Sequence, residues 1–259
     1  RLQMIIRLFL LFFCLSMMIA SAKATDYHEG VKWYNNRHQG SNKIIASENS
    51  INKAINFFQS ALNSSDYEFE AALYLLKSYY YKGEYTNQND EDKKIIFNLG
   101  KKLGEKYINI NPDSPQFRYW YLVNLGSWAQ VYGVISAARE GVADLMKTHS
   151  EKIIELDSVY QDGGGYFMLG AVHYKSPYIP FFLSWPDNKA AIKYLQLAVN
   201  TGKATLNQKV YLAQAIIKDG KINSAKNILT EVINSQPDSN YLIEDLNDIE
   251  EAHQILKDL

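Results

Sequence analysis

Cysteine is nearly absent: Cys14 is the only one among 259 residues. A single thiol closes no disulfide within the chain, and it builds neither a thiol redox pair nor a cysteine metal cluster. Proline is scarce as well. There are six, and Pro177, Pro180 and Pro186 fall in one short stretch, so most of the chain is free of helix breakers. Basic charge is not in surplus, with 27 Lys and Arg against 28 Asp and Glu. That balance excludes the concentrated basic face expected of a nucleic-acid binder. The histidines His28, His38, His149, His173 and His253 are scattered, and none pairs with another at a spacing such as HExxH. His173 is expected as a packed helix residue. No nucleophile–base or carboxylate pair stands out, so the expectation is a protein that is not an enzyme and uses no cofactor or metal.

Phosphate-binding glycine motifs are missing too. Gly163-Gly164-Gly165 precedes a predicted helix, whose free N–H groups suit an anion in principle. Neither GxGxxG nor GxxxxGK is present and no strand precedes the run, so a flexible hairpin entry is the expected use.

What the chain does have begins at its N-terminus. Met4 to Ile19 is an apolar run with one charge, Arg7, near its start, and Ala20-Ser21-Ala22 and Lys23-Ala24 follow it. A short basic region, an apolar run and a small-x-small site read as a secretory signal peptide over residues 1–24, cleaved after Ala22 or Ala24. Retention as an anchor is the alternative, although a membrane span needs roughly 20 apolar residues. Phe12 and Phe13 stand where a lipoprotein has small residues before its cysteine, which argues against lipidation of Cys14. The expectation is an exported, periplasmic protein with one domain over residues 25–259. Removing residues 1–22 takes away Arg1 and Arg7 and leaves 25 basic against 28 acidic residues.

Helical periodicity dominates the remainder. It predicts helices over 48–63, 67–82, 91–109, 115–132, 135–156, 164–175, 187–201, 206–219, 221–235 and 239–257. Ser114 before Pro115 gives a capping hydroxyl and a proline at the first helical position. Asp187 and Ser239 are expected to cap in the same way. Internal repetition carries the most information. From Leu212 to Pro237 the chain places Leu212-Ala213, Ile216, Gly220, Ile222, Ala225, Leu229, Val232 and Pro237 in the order of a tetratricopeptide repeat. Such a repeat is a helix–turn–helix unit of about 34 residues. Ala213 and Ala225 are small where two helices cross, and Gly220 makes the turn. Leu169-Gly170 with Ala191, Leu195 and Ala198, and Ala54, Phe58 and Ala61 with Leu75, Tyr79 and Gly83, repeat the grammar with insertions at 86–92 and 176–186. The fold class is therefore all-α, a tetratricopeptide-like array of helical hairpins (an α-solenoid). A C-terminal capping helix carries Leu242, Leu246, Ile249 and Leu256 on one face and acidic residues on the opposite face.

Two aromatic segments stand apart from this grammar. Tyr119 to Tyr132 is apolar around nearly its whole circumference, with Trp120, Asn124 and Trp128 one turn above another. A buried Asn124 must find a partner, in a neighbouring helix or in a ligand. Residues 176–186 carry Tyr178, Phe181, Phe182, Leu183 and Trp185, apolar area that either packs internally or meets a partner or a membrane.

These segments carry a resemblance. Arg118-Tyr119-Trp120-Tyr121, Asn124-Leu125-Gly126 and Trp128-Ala129 come first. Gly165-Tyr166, Leu169-Gly170-Ala171, Pro177, Asp187 and the Ala191 helix follow. Together they resemble TatT, the T component associated with tripartite ATP-independent periplasmic (TRAP) transporters. The resemblance implies a periplasmic helical-repeat protein working beside a solute-binding protein and holding or passing a small organic ligand. Members of that family tend to be lipoproteins, and this chain departs from them there. The expected ligand-binding residues are Trp120, Asn124, Trp128 and Tyr166. Tyr80, Tyr81, Tyr174, Lys175, Gln214 and Lys218 are the expected groove residues, on the first helices of the hairpins. A general cell-envelope scaffold for protein–protein interaction is the alternative. Membrane contact, homo-oligomerisation and the identity of the ligand are left open.

Overall fold

The computed structural model describes residues 25–63 and 66–259. The leader, its cleavage sites and Cys14 lie outside the described residues. The described chain is helix after helix. α1 covers residues 25–35. It is followed by α2 (Glu48–Ala61), α3 (Glu68–Tyr85), α4 (Asp90–Ile110), α5 (Pro115–Tyr132), α6 (Val134–Arg139) and α7 (Val142–Leu156). Then come α8 (Tyr160–Lys175), α9 (Asn188–Thr201), α10 (Leu206–Lys218), α11 (Ile222–Ile233) and α12 (Leu242–Asp258).

Local chemistry explains most starts and stops. The Ser114 hydroxyl accepts the Phe117 N–H at 3.3 Å, with Pro115 in the first turn of α5. Asn89 caps α4, Asp187 caps α9, and Thr205 with Gln208 forms a capping box on α10. Ser239 does not cap. α12 starts later, at Leu242, with Tyr241 in the cap position and no side-chain bond. The expected helix 135–156 is split in two because Gly141 takes a left-handed conformation, φ 63°. α1 was hidden in the sequence, although Tyr27, Val31 and Tyr34 fall at i, i+4 and i+7 and pack on the N-terminal core.

Consecutive helices pair as hairpins, and α3, α5, α8 and α10 touch in turn to form an inner row. Small residues let the hairpins close. A Cβ on Gly170 would stand 2.9 Å from the Leu195 backbone nitrogen of α9, and Ala213 and Ala225 are fully buried between α10 and α11. The Gly163-Gly164-Gly165 run is not a flexible entry. All three are buried, against Thr201, Tyr119 and Ile154, where any side chain would collide. Gln161, Asp162 and Gly163 have positive φ and kink the start of α8 there.

Gly220 turns α10 into α11 at φ 80°, with the Lys221 N–H bonded to the Ile216 carbonyl at 3.2 Å. A Cβ at this position meets nothing within 4 Å, so only backbone strain opposes a side chain. Gly220→Ala is expected to cost about 1 kcal/mol in a denaturant melt. A loss below a few tenths would mean that the turn relaxes freely.

Two cores result. A small one joins α1, α2 and α3 through Ile51, Phe58, Leu75 and Tyr81, and a larger one runs from α3 to α12. Leu62 and Leu103 pack against both. α12 also spans them, with Ala252 in the large core and Ile243 in the small one. It caps α10 and α11, as expected of a terminal helix, and then reaches across to the segment between α1 and α2. In the 176–186 loop, Leu183 is buried and the Trp185 indole donates to Asp144 at 2.8 Å, while Tyr178, Phe181 and Phe182 stay exposed. Half of that loop packs internally and half displays its rings. Among the described residues, no helix is long and apolar enough to cross a membrane.

Candidate functional site: a cationic cavity and an acidic helix on the inner face

The inner row, the end of α1 with the turn after it, and the start of α12 line a cavity of about 280 Å³. α3 supplies its floor: Tyr74, Lys77, Tyr80 and Tyr81 are three or four residues apart, so they share the inward face of that helix. Trp120 of α5 and Gln161 at the kink of α8 form one side, and Tyr34 and Arg37 form another. Tyr241 and Glu244, at the start of α12, close the cavity.

Two cations face this space and they differ in their surroundings. Arg37 is almost fully buried and its guanidinium is spent. It donates to Glu244 at 2.6 and 3.1 Å and to the Asn240 carbonyl, and it lies over the Tyr34 ring at 4.6 Å. Lys77 has no such partner: no carboxylate among the described residues pairs with it. Its ammonium sits over the rings of Tyr74 at 4.8 Å and Trp120 at 5.5 Å. Burial lowers its pKa and the Arg37 charge lowers it further. The Tyr81 hydroxyl, on the same floor, is buried without a hydrogen-bond partner among the described residues. An unpaired cation beside an unsatisfied hydroxyl describes a place that gains from an incoming acceptor.

The acidic face of α12 looks outward only in part: Glu250 and Glu251 are exposed, while Glu244 and Asp248 are not. Glu244, Asp248 and Glu251, at i, i+4 and i+7, turn toward the repeats. Glu244 takes Arg37, Asp248 accepts from Asn207 at 2.7 Å, and Glu251 accepts from Gln214 at 2.6 Å. The residues facing them include Tyr80 and Tyr85, whose hydroxyls are 3.1 Å apart. Among these carboxylates, Asp248 is pushed up to about 8, mainly by burial and then by the charges of Glu251, Asp245 and Glu244, against the pull of the Asn207 bond.

The folded state therefore holds a proton that the unfolded chain releases near its ordinary value of 3.8. The stability that comes with this proton is full below the unfolded value and is lost as pH rises through about 8. Asp248→Asn is expected to melt like the wild type near pH 4 and about 5 °C higher near pH 9. Equal melting at both values would show that Asp248 ionises freely in the fold.

The expected site residues fall into separate places. Trp120, Tyr80 and Tyr81 meet in the cavity. Asn124 does not join them. It is fully buried, its amide donates to the Leu76 carbonyl at 3.1 Å and the Trp120 carbonyl at 2.8 Å, and its oxygen fills the space above Gly100. Trp128 stacks on Tyr132 at 4.3 Å under Lys101, away from the cavity. Helical rotation explains the separation, since eight residues along α5 turn the side chain well round the axis. Tyr166 packs against the large core. Tyr174, Lys175 and Lys218 form a second cluster with Tyr211, in which Lys218 donates to the Tyr174 carbonyl at 3.3 Å. Gln214 is held by α12. His173 is packed between Trp185 and Tyr194 and accepts the Asp187 N–H at 3.1 Å. Arg37, Lys77 and Glu244 were missed. Lys77 alone had a signal, a cation inside the apolar run Leu75 to Tyr81.

Comparison with known proteins agrees with this architecture. The chain is similar to the crystal structure of a thermophilic TPR protein of Thermus thermophilus, with a TM-score of 0.62 and 13% identity. The match covers 90% of this chain and 99% of that one, and at this identity it speaks for the fold. No match was found among curated proteins. The family model that matches is "Regulator of microtubule dynamics protein 1-3", over residues 39–182. It is a different family from the transporter-associated one that the Tyr119–Trp128 segment resembles. The match takes in more than half of the 259 residues, from the loop before α2 through α8, and the chain belongs to the family of regulators of microtubule dynamics proteins 1-3.

Proposed function

We propose that this protein is a non-catalytic binding scaffold whose inner face grips a carboxylate-bearing segment of a protein partner. The observation that carries this reading is Lys77, a half-buried cation in an aromatic cavity with no carboxylate paired to it among the described residues. Leaving it so costs stability, and a ligand carboxylate offsets that cost. Repeat scaffolds bind along their inner faces, and the aromatic floor of Tyr74, Tyr80 and Trp120 gives stiff contact area. The family name points to microtubule dynamics, so tubulin and its associated proteins are the first partners to test.

A photo-reactive amino acid in place of Tyr80 tests the reading in cells. The expected result is cross-linking to a discrete protein, lost when Lys77 is also changed to Met. Cross-linking that is indifferent to Lys77 would remove the cavity from the interface.

The volume of the cavity, about 280 Å³, favours a second reading in which a small organic acid is held there. The transporter-associated role beside a solute-binding protein, in an exported chain, is the form of that reading which the sequence resemblance implies. Native mass spectrometry separates the two. A discrete added mass of small-molecule size, released on denaturation, supports the small ligand, and a clean apo mass supports the protein partner.

A further inference from the structure

The groove beside the cavity already has an occupant, and it is α12. Three features of this helix bear on how it is held. Three of its 17 residues are fully buried, Ile243, Asp248 and Ala252, and one of them is a carboxylate. Beside its apolar contacts it is held by a row of polar ones, through Arg37 to Glu244, Asn207 to Asp248, Gln214 to Glu251, and the Asn247 amide to the Ile44 carbonyl at 2.8 Å. Its carboxylates at i, i+4 and i+7 form one stripe, and that stripe is the face it presents to the groove. A hydrophobic helix end that simply needed covering would be covered by the apolar face alone. Here aliphatic residues flank the stripe, with Ile249 and Leu256 on the large core and Leu246 on the small one. The chain thus displays what its groove accepts: an amphipathic helix with acidic residues one turn apart. A contact that combines an apolar seat with a row of polar and charged bonds has the make-up of interfaces between separate partners.

We propose that α12 is a displaceable internal ligand, and that the groove receives from a partner an amphipathic helix with carboxylates at i, i+4 and i+7 in its place. The inference rests on the reading of the inner face as the binding surface and names the partner class. Displacement also opens the cavity, because Tyr241 and Glu244 leave its wall. Helix-in-groove recognition supplies the energetics: the partner's apolar anchors replace those of α12, and Arg37 exchanges one carboxylate for another. The internal ligand lowers apparent affinity for the partner by the fraction of time it stays docked.

The test uses the full chain and a fluorescent peptide of residues 240–259. Ala252→Arg places a charge where α12 enters the large core, while every groove residue stays intact. The expected result is that this variant binds the peptide at least ten-fold more tightly than the wild type does. A peptide with Glu244, Asp248 and Glu251 changed to Lys is expected not to bind. Ile243→Asp, at the other end of α12, is expected to act in the same direction. A folded Ala252→Arg variant that binds no more tightly overturns the proposal. So does loss of the cooperative melt in both variants, since α12 would then be an integral part of the array. Binding of other acidic peptides at Lys77 can survive either failure, so the broader reading is judged separately.

Discussion

Lys77→Met is expected to melt higher than the wild type and to bind acidic peptides at least ten-fold more weakly. Both effects come from one fact, that the Lys77 ammonium is held over Tyr74 and Trp120 with no ion-paired carboxylate among the described residues. Methionine keeps the length of the stem and removes the charge, so burial no longer costs desolvation. A gain of about 1 kcal/mol is expected, the usual size of such an exchange at a binding site. Opposite signs for stability and binding are the diagnostic. A structural lysine would lose stability on replacement, and a neutral surface lysine would change neither property. The measurement is a pair of denaturant melts alongside a peptide titration.

Arg37→Ala has the largest expected effect on stability, a loss of about 3 kcal/mol. The guanidinium is 5% exposed and bonds Glu244 at 2.6 Å, so truncation strands a carboxylate that is itself only 18% exposed. Burial already raises the Glu244 pKa against the pull of Arg37. Without Arg37 that rise grows, and acidification should recover part of the loss by protonating Glu244. The double replacement Arg37→Met with Glu244→Leu is expected to restore most of the stability, because the cost lies in the unpaired charge and not in the missing pair. A single replacement that costs less than 1 kcal/mol would mean that the turn after α1 and the start of α12 are not joined as described.

Local grammar was legible where one helix or one hairpin determines it. Ser114-Pro115, Asp187 and Gly220 do in the fold what their residue types predict. The α10–α11 hairpin, the small residues at its crossing and the all-helical array were readable for the same reason, since the apolar stripe of each helix shows its buried face. The candidate site was legible only in part. Tyr80, Tyr81 and Trp120 were singled out for their aromatic character, and they do share a cavity. Asn124 and Trp128 were grouped with Trp120 by their spacing along α5. Which neighbour each of them meets depends on α3 and α4, which spacing within one helix does not report. Arg37 and Glu244 meet across 207 positions of sequence. Nothing local reveals such a pair, because it follows from the way the whole array brings its ends together. The inward turn of the α12 acidic stripe is another consequence of that closure. An acidic face on a terminal helix ordinarily meets water, and here it meets Arg37, Asn207 and Gln214.

The measurement that bears most directly on the inner-face reading is isothermal titration calorimetry of a poly-glutamate peptide against the full chain and its Lys77→Met variant. It would be run at low and at physiological salt, because a contact dominated by charge weakens as salt rises. Binding to the wild type that is at least ten-fold weaker in the variant, equivalent to about 1.4 kcal/mol, is the predicted result. Equal affinity for the two proteins, or binding to neither, would contradict a carboxylate site at Lys77.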